Sequence, residues 1–383
     1  MEWITWLLRT ILMHLPPIEM ALTLGAIFFA LSWLRPRRIV SLPASGRRAE
    51  TLAWLGIAGS LIVVGVGSLT SWLATLNPSF SGDGWWQRPA PLLAAAAVMA
   101  IAVIALHREP LPSPGERLIA PRRRWWHFAP RVPLWITATA GTLLLLMAGW
   151  QTLIGVSAPR DADHYGIGPG WTQLPGYTPI AQGYFWGAGW PNHLATLVAL
   201  VLAATAFALV LGGDANRPVP ARRTAAQIAE EREATARLIT FIGLGAVLLT
   251  LGAVWAFVGF VGQISIGIGL DELRQPVIEV GTGYGAFAPF MHLGGYVVQG
   301  IGAAVLLRLA TDTLRALLAG RRVPTADPDV APAGSSAAAS STGTGTGTDS
   351  DPAPPRDPAS PPAGGSSTTA EAPAGLIESR ADR

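Results

Sequence analysis

The chain has no cysteine. Disulfides, thiolate metal sites and a cysteine nucleophile are therefore excluded. It has no lysine either, since every one of its 27 basic residues is arginine. That excludes Schiff-base chemistry on a lysine, a retinal linkage included. Charge is scarce at 13% of residues, against 50% that are hydrophobic. With a mean hydropathy of +0.38, this balance belongs to membrane proteins. Serine-hydrolase and metallohydrolase motifs, a Walker A loop and a dinucleotide-binding fingerprint are all missing. A lysine-free chain rich in Ala, Gly, Pro and Arg points to a GC-rich bacterial genome, and its many apolar runs point to the plasma membrane.

What is present is a series of apolar runs. Seven transmembrane spans are expected, at about 17–34, 52–76, 90–106, 133–155, 193–212, 237–261 and 288–307. The helix of the last span is expected to continue to Ala319, and that of the sixth to begin before it, where Glu233 stands four residues ahead of Arg237. Ahead of the first span, residues 1–16 place Trp3, Trp6, Leu7 and Ile11 at helical spacing and end at Pro16. An interfacial helix anchored by two tryptophans is the expectation there. The expected fold class is thus an all-α integral membrane protein, a seven-helix bundle. Residues 321–383 are mostly Ala, Pro, Ser, Thr and Gly, with a TGTGTGT run. Such a tail buries too little apolar surface to offset its ordering entropy and is expected to be disordered.

The arginines set the orientation. The segments 35–48, 108–131 and 217–237 hold five, six and five of them, and Arg308, Arg315, Arg321 and Arg322 follow the last span. The alternate segments hold only Arg9, Arg88, Arg160 and Arg274. The positive-inside rule then puts the amino terminus outside and the carboxy terminus in the cytoplasm. The pI near 9.8 does not imply nucleic acid, because these arginines form separate runs beside apolar spans rather than one patch. The bilayer is the expected partner.

Between the fourth and fifth spans runs a long outer loop, 156–192. It interleaves glycine and proline with Tyr165, Trp171, Tyr177, Tyr184, Phe185, Trp186 and Trp190. Disordered linkers are poor in aromatics, so this loop reads as a folded cap and a docking surface for an envelope or membrane protein. A second outer loop covers 262–287. It contains Gly281-Thr282-Gly283-Tyr284-Gly285, which resembles a potassium filter, but the charged, proline-broken residues before it supply no pore helix. A glycine-rich turn into the last span is expected instead.

Within the spans, polar residues favour the outer half. Glu19, Gln151 and Gln299 mark an expected outward polar pocket, with Ser68, Thr70, Ser71 and Thr75 near it. His193 and His292 lie at the same level, and the cap adds Asp161, Asp163 and His164. Imidazole with carboxylate suits a divalent metal such as zinc, copper or iron, and two histidines on facing helices can ligate haem. Asp161-Ala162-Asp163 also resembles the acidic pair with which lipid-linked glycosyltransferases hold a divalent ion. For packing, Gly245, Gly252 and Gly259 recur every seven residues, and Ala195, Ala199 and Ala203 every four. Such stripes bring helices into close contact in lipid.

Three functions follow as expectations. The first is a non-enzymatic binding, sensing or docking protein acting through its outer loops. The second is a transporter or metal- or haem-handling protein using the polar pocket. The third is a lipid-linked enzyme built on Asp161 and Asp163.

Overall fold

A computed structural model describes residues 17–34, 38–43, 46–76, 86–118, 123–157, 177–178, 183–184, 190–263, 265–268, 278–281 and 283–321. All belong to the first of two units, Met1–Thr325. The expected interfacial helix, most of the cap loop and the tail beyond 321 lie outside the described residues.

The described chain is mostly helical: α1 (Pro17–Leu31), α2 (Arg47–Trp54), α3 (Ser60–Leu76), α4 (Ala90–His107), α5 (Arg131–Ser157), α6 (Trp190–Ala215), α7 (Ala225–Gly262) and α8 (Ala288–Arg321). Residues Leu55–Gly59 form a π-helical turn that joins α2 to α3 without a break. Among the described residues, six helices are long and apolar enough to cross a membrane, with α2, the π turn and α3 counting as one. The first expected span is shorter than its apolar run, because the chain turns at Ser32, whose hydroxyl donates to the Phe29 carbonyl at 2.6 Å. The 15 residues of α1 rise about 22 Å at ~1.5 Å each, against a hydrocarbon core of ~30 Å.

Local chemistry explains the boundaries. Gly46, ahead of α2, has φ 111°, a left-handed conformation that costs glycine little. Thr224 opens α7 with a capping box, its hydroxyl accepting from the Gln227 backbone while the Gln227 side chain accepts from the Thr224 N–H. This cap starts the helix a dozen residues ahead of the apolar run, as Glu233 and Arg237 led one to expect.

Among the described residues, three two-stranded antiparallel ribbons lie in the connections. β1 (Arg117–Leu118) pairs with β4 (Val219–Pro220), tying two arginine-rich loops together. Within the cap loop, β2 (Tyr177–Thr178) pairs with β3 (Gly183–Tyr184), with Tyr177 opposite Tyr184. In the second outer loop, β5 (Ser265–Ile268) pairs with β6 (Ile278–Gly281). The filter-like run ends β6 and enters a turn at 283–287 that leads into α8.

The helix α7 is central: 72% of its most apolar window is buried, against 17% for α5. Along α5, Val132, Trp135, Leu146 and Leu153 are exposed. Such a helix would be an aggregation liability in water and is at ease against lipid chains.

The glycine stripe of α7 lies against α8 in antiparallel fashion. A Cβ on Gly245 would meet Leu306 at 2.4 Å, one on Gly252 the backbone of Gln299 and Gly295 at 2.4 and 2.5 Å, and one on Gly259 the His292 backbone at 2.3 Å. Gly295 on α8 faces back, where a Cβ would lie 2.3 Å from the Ala256 nitrogen. The two helices thus touch backbone to backbone, the close approach that small residues allow in lipid. α1 runs parallel to α8, with Gly25 against Gly300 and Ala303 and Ser32 beside Arg308. In the π turn, Gly56 lies against Thr313 of α8 and Gly59 against Val98 of α4.

Candidate functional site

Polar side chains gather at both ends of the bundle. At the arginine-poor end, α6 begins with Trp190 and Pro191, a first-turn position where the missing N–H of proline costs nothing. The turn buries Asn192, His193 and Thr196, and Thr196 donates to the Asn192 carbonyl at 2.9 Å. His193 is 0% exposed, and neither ring nitrogen has a hydrogen-bond partner among the described residues; the same is true of Asn192 Oδ1. Half-buried Arg88 sits in the turn before α4 and bears electrostatically on His193. Its guanidinium carbon lies 3.3 Å from the centroid of the Phe257 ring. Burial pulls the Arg88 pKa down to about 9, so the group keeps its charge at neutral pH.

A second group at this end involves Tyr284, in the turn before α8. Its ring packs over Gly262 and stands edge-on to Trp150 at 5.1 Å. The phenol donates to the Val258 carbonyl at 3.4 Å, with the Gln151 side chain beside it. Burial pushes the Tyr284 pKa up to about 12. Gln151 is buried, and its Nε2 has no partner among the described residues.

His292 is engaged differently. Its Nδ1 lies 2.8 Å from the Ala256 carbonyl. A carbonyl only accepts, so Nδ1 carries the proton and Nε2 is left to accept from the Tyr296 hydroxyl, 3.5 Å away. Both ring nitrogens therefore have protein partners, and a metal would have to displace Tyr296. Among the described residues no three His, Asp or Glu side chains come together as a metal site. Asp161, Asp163 and His164 lie outside the described residues.

Of the expected outward pocket, Gln299 lines a small cavity between α1, α3, α7 and α8, together with Ser68, Gly67 and Leu249. Its volume of about 20 Å³ holds a single water. Gln151 is not among its lining residues, and the Glu19 side chain lies outside the described set. Of the cap aromatics, Tyr177 and Tyr184 are placed by backbone pairing alone. Tyr165, Trp171, Trp186 and the Trp190 side chain are outside the described residues.

At the arginine-rich end, the arginines do more than mark a side of the membrane. Arg48 on α2 donates to Asp214 at the end of α6 at 2.5 Å and to Thr235 on α7 at 2.8 Å, and lies 3.8 Å from Glu109. Arg217 pairs with Glu109 at 3.6 Å, and Arg232 donates to the Arg217 carbonyl at 2.7 Å. A second buried group sets Arg308 over the Trp33 ring at 3.4 Å and against Asp312 at 3.2 Å, while Asp312 accepts from the Ile39 N–H at 3.0 Å. Sequence reading took these arginines as topology markers and counted Arg88 among the four on the arginine-poor side. The signal it offered for Arg88 was that scarcity, with a proline directly after it.

No family model matches the chain, and neither the curated proteins nor the solved structures contain a significant match to it.

Proposed function

We propose that the chain is a seven-span plasma-membrane protein, amino terminus outside and carboxy terminus inside, acting as a non-enzymatic binding or docking scaffold through its arginine-poor loops. The lie of α1 supports the seventh crossing. It follows α8 from Ala21, which shares a cavity with Gln299, to Ser32 beside Arg308. Seven crossings also bring every arginine-rich segment to one face, as the positive-inside rule requires.

The observation that carries the docking reading is the closure of the core. α7 and α8 meet backbone to backbone at Gly252 and Gly295, and the cavity at Gln299 has room for one water. A bundle locked in this way holds its loop ends in fixed positions, and recognition falls to those loops. The cap loop, with its aromatics, is the best equipped of them, since tyrosine and tryptophan anchor interfaces.

The absence of native cysteine makes the test direct. Single cysteines at Thr5, Ser113 and Gln173 are probed with a membrane-impermeant maleimide in intact cells. Labelling at Thr5 and Gln173 but not at Ser113 is expected; labelling at Ser113 would invert the topology, and protection at Thr5 would leave six crossings. Photo-crosslinkers at Trp171 and Trp186 should then give a discrete protein adduct in the envelope. Adducts to lipid alone from both positions would count against docking.

A further inference from the structure

We propose that the arginine-poor end holds an oxyanion of the phosphate class in a site made by Arg88, Asn192 and His193, with Phe257 as its floor. The proposal goes beyond the docking reading and does not rest on it. Arg88 supplies the charge. Its guanidinium lies on the Phe257 ring at 3.3 Å, and none of the ion pairs among the described residues includes it. A ring face compensates a half-buried cation only in part, and a charge withdrawn from water gains from a counter-ion. A guanidinium stacked by one face can still offer its edge to two oxygens of one phosphate.

His193 and Asn192 supply the rest. His193 is fully buried, and among the described residues neither its ring nitrogens nor Asn192 Oδ1 has a hydrogen-bond partner. A neutral imidazole offers one N–H and one lone pair. The site therefore presents a donor for an oxyanion, and acceptors for a hydroxyl on the same group. A hydrogen phosphate has both features, as does a phosphodiester carrying a glycerol headgroup. Both residues stand in the first turn of the 26-residue helix α6, where free backbone N–H groups and the helix dipole also favour negative charge. The phosphate has two natural sources, a phospholipid headgroup or free inorganic phosphate.

The experiment uses the full chain, purified in detergent without a polyhistidine tag. Its thermal midpoint is followed against inorganic phosphate and, separately, against phosphatidylglycerol in mixed micelles, for the wild type, Arg88→Gln and Arg88→Lys. One of the two probes is expected to raise the wild-type midpoint saturably. Arg88→Gln should weaken that response by about tenfold to a hundredfold, the range for hydrogen bonds to a charged group. Arg88→Lys should fall between, since the ammonium keeps the charge but loses the fork and the stack. A response to phosphate assigns the free anion; a response to phosphatidylglycerol alone assigns the headgroup. No saturable response in the wild type, or an equal one in Arg88→Gln, overturns the site. So does an Arg88→Gln protein that is more stable than the wild type at every concentration, because that would reveal an empty, costly cation. If Arg88→Gln does not fold, native mass spectrometry of the wild type decides: one phosphate or phosphatidylglycerol retained per chain supports the site, and none removes it.

Discussion

Replacing Gly252 with alanine adds one methyl group at a backbone-to-backbone contact between α7 and α8. That carbon would sit 2.4 Å from the Gln299 nitrogen and 2.5 Å from the Gly295 oxygen, where ordinary contact begins at 3.4 Å. Both obstacles are backbone, so no rotamer change can make room, and the helices must part by about 1 Å. Overpacking of this kind costs about 1–3 kcal/mol, and here the parting also spoils contacts at Gly245 and Gly259 along the same stripe. Gly252→Ala should lower the thermal midpoint in detergent clearly, and Gly252→Leu should fail to give folded protein. Gly295→Ala attacks the same contact from α8, meeting the Ala256 nitrogen at 2.3 Å and the Gly252 oxygen at 2.7 Å. Once one methyl has opened the gap, the second finds room, so the double variant should lose less than the sum of the two. Gly149→Ala on α5 is the control, because nothing lies within 4 Å of a Cβ there. A Gly252→Ala protein as stable as the wild type, or a Gly149→Ala protein equally damaged, would refute the reasoning.

Asp214→Ala should cost about 3 kcal/mol, the lower end for breaking a buried ion pair, because Arg48 keeps Glu109 and Thr235 as partners. Adding Arg48→Met should restore part of that loss in detergent denaturation; a further loss would show that Arg48 matters through packing instead. Asp312→Ala should destabilise by a comparable amount, since it strips both Arg308 and the Ile39 N–H, and Asp312→Asn should lose less by keeping an acceptor for that N–H. For Tyr284, the raised folded-state pKa of about 12 means that the folded protein holds a proton the unfolded chain releases near pH 10. Its contribution is complete below pH 10 and declines as the pH climbs from 10 towards 12. Tyr284→Phe should flatten that decline in a stability–pH profile, and an unchanged slope would place the loss elsewhere.

The helices were legible because each is an apolar run flanked by proline, glycine or arginine, and the runs at 90–106 and 288–307 begin where α4 and α8 begin. The α7 stripe was legible because a seven-residue spacing keeps glycines on one helical face. Long-range polar pairing was not. Arg48 and Asp214 are 166 residues apart, and no local pattern tells an arginine that marks topology from one that ties three helices together. Azimuth was hidden for a related reason: a residue's place along an apolar run gives its depth but not its facing, and of the expected pocket residues Gln299 lines the cavity beside α1 while Gln151 does not. The end of α1 was misplaced because Ser32, Trp33 and Leu34 continue the apolar run while the backbone already turns.

The π turn at Leu55–Gly59 has a consequence for the chain's tolerance of length change. A π turn carries one residue more than an α-helical turn in the same stretch of axis, and one residue corresponds to about 100° of rotation. It therefore takes up one extra residue with almost no added rotation, and α2 keeps the azimuth it would have on a helix one residue shorter. Were the same residues wound as α-helix, Arg48 would swing by about 100° away from Asp214 and Thr235. This turn is thus the place in the helix where one residue can be lost with Arg48 still facing its partners, whereas the same deletion between Ser60 and Leu76 would turn it away.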